Sequence, residues 1–357
     1  MAEVSGMSKA DERTKSEIMD QPRSIRMTIE NESSKIDSVA RTILDHRCKR
    51  IYLVAMGSSY SAALIAKVFA DSTLRIPVEV YRGYELEFEM PIALGKESCV
   101  IPISFSGETE DVVSALRFAR EHGAYVVSVS GPEDSTLVKE SDRALQITSE
   151  DTKAMVAGHL SQIAVLYLLI GSLAKYYDKS DKIAEITEGL KDIIIKLPEI
   201  IEREEDATRK IAESVKDEQL FYVISSGPTF GVAYKLAMTE ITENAWAHGI
   251  VQYAGEFRHG IVEQMQKGLP VIFIVGTDPS QVDLRRELET CKALGAHTIV
   301  WDAKDFPKTD QFLTPFYLAI PTEWFVYHLS LLRGKLPSSR RYMGSVIPYA
   351  NMKKLSR

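Results

Sequence analysis

The chain has 357 residues, of which 45% are apolar and 26% are charged, and this composition is typical of a soluble globular protein rather than a disordered one. That length is sufficient for two domains that each bury a hydrophobic core. The net charge is -7, and because no basic stripe runs along the sequence, it argues against a nucleic-acid partner.

Targeting and redox signals predict a cytoplasmic protein. The N-terminus is polar, so we expect no signal peptide. The three cysteines, Cys48, Cys99 and Cys291, lack the spacing of a metal or redox site and are interpreted as reduced thiols. The longest apolar run, residues 163–174, is too short to span a bilayer and predicts a core helix, so no membrane association is expected.

In chain order, a helical N-terminal segment is predicted over residues 1–45, interrupted at Pro22. After it, apolar runs that predict strands alternate with amphipathic runs that predict helices. Strands are predicted at 51–55, 78–81, 100–103, 125–130 and 144–148, and helices at 61–74 and 112–121. This alternation predicts an α/β fold with a parallel, doubly wound (flavodoxin-like) sheet flanked by helices.

A charged helical connector is predicted over 181–215, and the pattern then starts again. The run from Phe221 to Gly227 mirrors the run from Ile51 to Gly57 at an offset of 170 residues. An internal repeat of this length predicts two tandem domains of similar fold. We therefore predict a first domain over 46–180, a second over 216–335, and a tail over 336–357 that closes the active site.

The stretch around Ser104, Ser106, Gly107 and Thr109 predicts an anion site. Hydroxyls and a glycine stand where a buried strand turns into a helix, and the first-turn N–H groups there lack partners. No lysine follows the glycine, which excludes the nucleotide P-loop. A serine-rich helix cap without a ligand fits the same stretch.

The second half differs from the first at the equivalent turn. It has Gly276, Asp278 and Gln281 there. An aspartate in that position would repel a phosphate. We therefore expect one anion site in each chain, in the first half.

Candidate acid–base groups lie in the second half. A helix is predicted over 228–247, with Glu240 and Glu243 one turn apart, and the segment 251–260 contains Glu256, Arg258 and His259. A carboxylate and an imidazole in one pocket can transfer protons near neutral pH. A solvated helix glutamate and a structural histidine fit the same spacing.

Three motifs resemble the sugar isomerase (SIS) domain family, and the resemblance covers nearly the whole chain. They are Gly57-Ser58-Ser59-Tyr60, Ser104-Phe105-Ser106-Gly107-Glu108-Thr109 and Gly255-Glu256-Phe257-Arg258-His259-Gly260. Within that family, the chain resembles the fructoselysine-6-phosphate deglycases and the isomerase half of glutamine-fructose-6-phosphate aminotransferase. The resemblance implies that the serine-rich turns bind the phosphate of a six-carbon sugar. The phosphosugar-binding residues would be Gly57, Ser58, Ser59, Ser104, Ser106, Gly107 and Thr109.

The resemblance also implies the roles of the acid–base groups. Glu243 would move a proton between C1 and C2 of the sugar, and His259 would assist ring opening or proton transfer from the neighbouring subunit. The active protein would then be a homodimer with a shared active site, and no cofactor or metal would be needed. Further candidate substrate contacts are Thr152, Lys153, Glu256, Arg258 and Tyr342.

Departures from the aminotransferase pattern reduce the number of candidate reactions. That enzyme has a lysine where this chain has Glu240, a Schiff-base lysine in its tail where Gly344 stands, and a glutamine in place of Phe105. The sequence is thus closer to the deglycases, and predicts cleavage of a 6-phosphofructosyl-amine into glucose 6-phosphate and a free amine.

Two alternatives remain open. One is deamination or isomerisation of glucosamine 6-phosphate. The other is a sugar-phosphate sensor without turnover, which the presence of both Glu243 and His259 and the lack of a helix-turn-helix pattern disfavour.

Overall fold

The computed structural model of the chain describes residues 2–149, 156, 158–178 and 182–342. Its β-strands are β1 Arg50–Ala55, β2 Val78–Arg82, β3 Ser98–Ser104, β4 Tyr125–Ser130, β5 Arg143–Gln146, β6 Leu220–Ser225, β7 His248–Tyr253, β8 Pro270–Val275 and β9 His297–Asp302. Its α-helices are α1 Ala2–Asp45, α2 Gly57–Thr73, α3 Gly83–Glu89, α4 Glu110–Glu121, α5 Thr136–Glu140, α6 His159–Asp178, α7 Lys182–Val215, α8 Phe230–Tyr234, α9 Gln281–Ala293 and α10 Thr314–Leu332. A π-helix spans Lys235–Asn244, and short 3-10 turns span Gly227–Thr229, Ala254–His259, Ile261–Gln264, Ala303–Asp305 and Gln311–Leu313. Thr152, Lys153 and Gly344 lie outside the described residues.

The first sheet has five parallel strands in the order β2-β1-β3-β4-β5. Successive residues of a strand point to opposite faces of the sheet, and helices cover both faces. Leu53 packs in the core cluster that contains Phe69 of α2, whereas Val54 packs in the cluster that contains Leu116 of α4. The prediction of a parallel sheet flanked by helices is confirmed.

The second sheet has four parallel strands in the order β7-β6-β8-β9. When β6 is matched with β1 as the sequence repeat suggests, this is the order of the first four strands of the first sheet. The repeated pattern in the sequence therefore produces two sheets that share the order of four strands, and the first sheet has a fifth strand, β5, at its edge.

Long helices join the two sheets into one core. Helix α1 continues through Pro22, and α7 continues through Pro198. The predicted connector is thus a continuous helix, and it packs against α6 and α10 with Leu190 and Leu197 fully buried. Trp324 of α10 donates a hydrogen bond to the carbonyl of Ile201 of α7 at 2.9 Å. The connector is therefore part of the core rather than a linker.

The predicted helix over 228–247 has a different form in the structure. A 3-10 turn and the short helix α8 lead into the π-helix, where the amide of Ala245 donates to the carbonyl of Glu240 at 3.4 Å, a five-residue step. Trp246 then takes a positive φ of 54° and ends the helix before β7 begins at His248. The structure therefore has helical backbone over most of the predicted range, and the part that carries Glu240 and Glu243 is π-helix.

Among the described residues, no helix is both long enough and apolar enough to cross a membrane.

Candidate active site

The structure brings together the three hydroxyls that the sequence placed in the anion site. Ser104 ends β3, and its Oγ lies 2.7 Å from Thr109 Oγ1 and 3.4 Å from Ser106 Oγ. The backbone amide of Gly107 donates to Ser104 Oγ at 3.2 Å. Thr109 immediately precedes α4, so the cluster lies at the N-terminal end of that helix, where an anion is favoured.

Two neighbours of the cluster explain its shape. Gly107 has a φ of +66°, and a Cβ there would come within 2.5 Å of Ser130 Oγ, so only glycine fits this turn. Glu108 turns its carboxylate away, accepting hydrogen bonds from the amide and the hydroxyl of Thr136 at 2.7 and 2.8 Å. Its negative charge is therefore engaged outside the cluster.

The turn after β1 lies beside the hydroxyl cluster, because β1 and β3 are neighbours and Ala55 is in register with Ile103. Helix α2 begins at Gly57, and no side chain caps its first turn, which includes half-buried Ser58 and buried Ser59. Uncapped first-turn N–H groups can receive an anion. The helix begins four residues earlier than predicted.

Sequence reasoning missed a cation at the same edge of the sheet. Arg82 ends β2, the strand paired with β1, and its guanidinium carbon lies 4.6 Å from the ring centroid of Tyr60. The strand end of β2 was predicted within one residue, but no motif distinguished this arginine from other surface charges.

Glu243 lies on the π-helix with its side chain half-buried, and its carboxylate forms an ion pair with Arg340 Nε at 3.0 Å. Burial raises the pKa of Glu243, the nearby charge of Glu240 adds to that effect, and Arg340 opposes it. A carboxyl whose pKa moves toward neutrality can both accept and return a proton.

Contacts between the two halves place the α2 turn against the helical segment that carries Glu243. A Cβ on Gly57 would lie 3.9 Å from Cγ2 of Thr239, which is four residues before Glu243. The rings of Tyr60 and Tyr234 lie 5.2 Å apart. The α2 turn of the first half therefore lies against the π-helix of the second half.

Glu240 has a structural position instead. Its side chain is buried, and its carboxylate pairs with Lys235 Nζ at 2.5 Å. Lys235 also pairs with Glu323 at 2.8 Å, and Gln21 Nε2 donates to Glu323 at 2.8 Å. Burial raises the pKa of Glu323 to about 7. Lys235 opposes the rise and the charge of Glu240 adds to it, since the two buried carboxylates share a single lysine. Sequence spacing could not find this cluster, since Glu323 lies far along the chain and Lys235 is five residues from Glu240.

His259 is exposed and is not brought to Glu243 within one chain. Its 3-10 turn anchors through Phe257 in the core cluster on one face of the second sheet, together with Leu284 of α9. The π-helix packs on the other face, where Ile241 joins the main core cluster. The two groups therefore lie on opposite faces of the sheet.

Two other predicted substrate contacts, Glu256 and Arg258, have neighbours of their own in the second half of the chain. The carboxylate of Glu256 is 3.5 Å from Gln252 Nε2. Arg258 lies near Glu287, whose pKa is raised to about 8 by burial and by Asp283, with Arg258 opposing the rise. Glu256 and Arg258 are thus not beside the hydroxyl cluster in this chain.

The described part of the predicted tail, residues 336–342, lies over the end of the π-helix. Asn244 Nδ2 donates to the carbonyl of Pro337, and Arg340 pairs with Glu243. Tyr342 is exposed, with the Arg341 guanidinium 5.2 Å from its ring centroid. Arg340, to which sequence reasoning gave no role, is therefore the tail residue in contact with Glu243.

Asp278 lies at the turn of the second sheet that corresponds to the hydroxyl cluster of the first sheet. Its carboxylate accepts hydrogen bonds from the amide of Ser280 at 3.1 Å and from the hydroxyl of the same residue at 2.5 Å. A Cβ on Gly227 would come within 2.5 Å of Asp278 Oδ1, so the carboxylate fills the space against that turn. This arrangement supports an anion site in the first half alone.

Comparison with known proteins assigns the first half to a family. The SIS domain profile matches residues 46–172, which contain the α2 turn and the hydroxyl cluster. This part of the chain is a SIS domain.

Two curated relatives extend the similarity to the second half. The chain is 27% identical over 315 residues to fructoselysine 6-phosphate deglycase from Escherichia coli strain K12, covering 88% of this chain and 91% of that one. It is 29% identical over 348 residues to the isomerizing glutamine–fructose-6-phosphate aminotransferase from Thermococcus kodakarensis, covering 93% of this chain and 57% of that enzyme. The chain thus spans most of the deglycase and somewhat more than half of the aminotransferase.

A solved structure agrees with the fold. A provisionally named phosphosugar isomerase from Bacillus subtilis superposes with a TM-score of 0.79 at 25% identity, covering 88% of this chain and 99% of that one. The α/β architecture with two parallel sheets is therefore shared with SIS-domain proteins of phosphosugar metabolism. The individual site residues stay predictions that rest on the geometry described above.

Proposed function

We propose that this SIS-family enzyme consists of two tandem SIS domains and cleaves a 6-phosphofructosyl-amine into glucose 6-phosphate and a free amine. The observation that carries the proposal is the contact between the α2 turn, which lies beside the hydroxyl cluster, and the π-helix that carries Glu243. The substrate would lie in a crevice between the hydroxyl cluster and this half-buried glutamate, whose pKa is raised and which is paired with an arginine.

The phosphate would bind at the hydroxyl cluster and the α2 turn. The hydroxyls of Ser104, Ser106 and Thr109 and the first-turn amides of α2 and α4 can donate to a phosphate, and both helix dipoles favour its charge. Arg82, which ends β2 at the same edge of the sheet, adds positive charge nearby. One end of the substrate is thereby fixed, and its C1 and C2 atoms extend toward Glu243.

Glu243 would act as the proton-transfer group. It removes a proton from C1 of the ketosamine, which gives an enaminol, and the proton returns at C2, which gives an imine at C1. Water adds to the imine carbon, and the C1–N bond breaks to release the amine and the aldehyde of glucose 6-phosphate. The raised pKa of Glu243 suits a carboxyl that must both take and return a proton.

The charged groups around Glu243 favour this reaction over amino transfer. Among the described residues, its ion-pair partner is Arg340, and a guanidinium does not form a Schiff base with a ketose as a lysine amine does. Lys235 is buried between Glu240 and Glu323, and these carboxylates raise its pKa although burial alone would lower it. A substrate that already carries a C1–N bond needs no lysine amine.

We further propose that the active form is a homodimer in which His259 enters the partner's crevice. His259 is exposed and lies on the face of the second sheet opposite Glu243, so a second copy could supply it where its own chain does not. Exposed Phe88, Met90 and Ile92, at and just beyond the end of α3, offer apolar surface for association. Cys48, Cys99 and Cys291 are buried, and we propose that the protein works in the reducing cytoplasm, where such cysteines stay reduced.

The test is a substrate panel with product identification. Purified protein is incubated with 6-phosphofructosyl-lysine, 6-phosphofructosyl-glycine and glucosamine 6-phosphate, and glucose 6-phosphate is followed with a coupled dehydrogenase. We expect glucose 6-phosphate and free amine in equal amounts from at least one ketosamine. Release of fructose 6-phosphate and ammonia from glucosamine 6-phosphate alone would assign the deaminase reaction instead.

A further inference from the structure

A buried ion pair joins two residues of the π-helix that are five positions apart. Lys235 is the first residue of this helix, and its Nζ lies 2.5 Å from a carboxylate oxygen of Glu240 and 2.8 Å from one of Glu323 on α10. All three residues are at most 1% exposed. The ammonium therefore has two carboxylate partners inside the core, and one of them belongs to its own helix.

The spacing of this pair distinguishes the π-helix from an α-helix. At 3.6 residues per turn, side chains five residues apart differ by about 140° around the helix axis, so an α-helix would point Lys235 and Glu240 to different sides. Hydrogen bonds with a five-residue step bring such positions close to each other. Two bonds have that step, from the amide of Ala245 to the carbonyl of Glu240 at 3.4 Å and from the hydroxyl of Thr242 to the carbonyl of Ala237 at 2.8 Å. The ion pair and the wide turn thus have the same period.

The neighbouring strand leaves room for the wide turn. Strand β7 passes the π-helix at Gly249, where a Cβ would come within 2.7 Å of both Cα and the carbonyl carbon of Ala237. Only a residue without a side chain allows this approach. Gly249 therefore accommodates the π-helix, but it has no side chain that could hold the helix in that form.

The position of Glu243 depends on the wide turn. Glu240 points into the core, whereas Glu243, three residues later, is half-buried and pairs with Arg340 at 3.0 Å. On an α-helix, side chains three residues apart are neighbours on one face. In an α-helix the two carboxylates would thus lie on the same side, and either Glu243 would leave Arg340 or Glu240 would leave Lys235. A π-helix is rare, and an uncommon backbone persists where its surroundings hold it.

We propose that Lys235 is a positioning residue, whose ion pair with Glu240 selects the π-helix and thereby sets the direction in which Glu243 faces the substrate. Lys235 is buried and acts through the helix, without touching the substrate. The inference rests on the proposed function for the role of Glu243, and it adds the residue that holds Glu243 in place.

The experiment compares Glu240→Met with Glu240→Gln. Both changes remove the same charge, and in both proteins Lys235 keeps Glu323 as its partner. The glutamine retains an oxygen that can accept from Lys235 across five residues, whereas the methionine has a similar size and no such acceptor. The two variants therefore differ in the link that the proposal invokes. For each variant and the wild type, kcat and KM are measured on a ketosamine 6-phosphate, together with glucose 6-phosphate affinity, thermal unfolding and a crystal structure.

We expect Glu240→Gln to keep kcat within about tenfold of the wild type. Glu240→Met should lose about 100-fold in kcat, because a displacement of about 1 Å can cost that factor. KM and the glucose 6-phosphate affinity should stay near their wild-type values in both, since the hydroxyl cluster lies in the other half of the chain. In the crystal structures, the amide of Ala245 should donate to the carbonyl of residue 240 in Glu240→Gln and to that of Ile241 in Glu240→Met.

An unchanged kcat in folded Glu240→Met, or a π-helix with the same hydrogen bonds in that variant, would overturn the inference. Equal losses of kcat and glucose 6-phosphate affinity would do the same, because they would indicate a general loss of structure. If Glu240→Met does not fold, the variant Lys235→Met/Glu240→Met/Glu323→Gln, in which this cluster holds no charge, takes its place in the comparison. If the wild type converts no ketosamine, the proposed function fails, and the acceptor of the Ala245 amide still decides whether the ion pair selects the π-helix.

Discussion

Replacing Glu243 with glutamine tests the assignment of the proton-transfer group. The change keeps the size of the side chain and removes its ability to take a proton. General acid–base groups contribute about 10²–10⁴-fold to a rate, so we expect kcat to fall by at least about 100-fold. Affinity for glucose 6-phosphate should change little, because the hydroxyl cluster belongs to the other half of the chain.

Glu240→Gln is the matched control for Glu243→Gln. Both residues lie on the same π-helix, but the Glu240 carboxylate is buried against Lys235 and cannot touch a substrate in the crevice. In this variant Lys235 keeps its second partner, Glu323, so the protein should fold and its turnover should stay within about tenfold of the wild type.

The assay for this pair is single-substrate turnover of a ketosamine 6-phosphate, with glucose 6-phosphate binding and thermal unfolding measured on the same samples. Loss of turnover in folded Glu240→Gln, with Glu243→Gln active, would refute the reasoning. The mechanism would then have to be rebuilt around the buried Lys235 cluster.

Four further outcomes are expected. Ser106→Ala should weaken glucose 6-phosphate binding about tenfold by calorimetry, since a charge-assisted hydrogen bond is worth about 1.5–3 kcal/mol, and an unchanged affinity would contradict the phosphate site. Mixing inactive Glu243→Gln with inactive His259→Ala should restore part of the activity through hybrid dimers, whereas no recovery after confirmed subunit exchange would contradict an active site shared between subunits. Arg340→Gln should move the acidic limb of the kcat/KM pH profile to higher pH, because Arg340 lowers the pKa of Glu243 and the base must be ionised. An acidic limb at the same pH would mean that Arg340 does not act on the catalytic base. The raised pKa of Glu323 should make wild-type stability fall as pH rises from 4.5 through about 7, and Glu323→Gln should flatten that slope in denaturant titrations.

Local sequence patterns were sufficient to predict much of the fold. Each strand of the first sheet is a short apolar run, so β1 and β4 were predicted within one residue of their observed ends. The hydroxyl cluster was predictable for a related reason, because Ser104, Ser106 and Thr109 are close in sequence and follow one strand.

Interactions between distant residues account for what the sequence did not reveal. The apolar positions of 228–247 suit any helix, and they do not distinguish an α-helix from the π-helix around the Lys235 cluster. Glu323 and Arg340 reach their partners from α10 and the tail, which no local pattern relates to Glu240 or Glu243. The exposure of His259 depends on which face of the second sheet its turn covers.

The identity of the sugar product tests the central claim most directly. A 6-phosphofructosyl-amine carries its sugar as a ketose, and only transfer of a proton from C1 to C2 followed by hydrolysis yields an aldose. NMR of the reaction mixture should therefore show glucose 6-phosphate and free amine in a one-to-one ratio with the wild type, and neither product with Glu243→Gln over the same period. Fructose 6-phosphate as the sugar product, or equal yields from both proteins, would contradict the account.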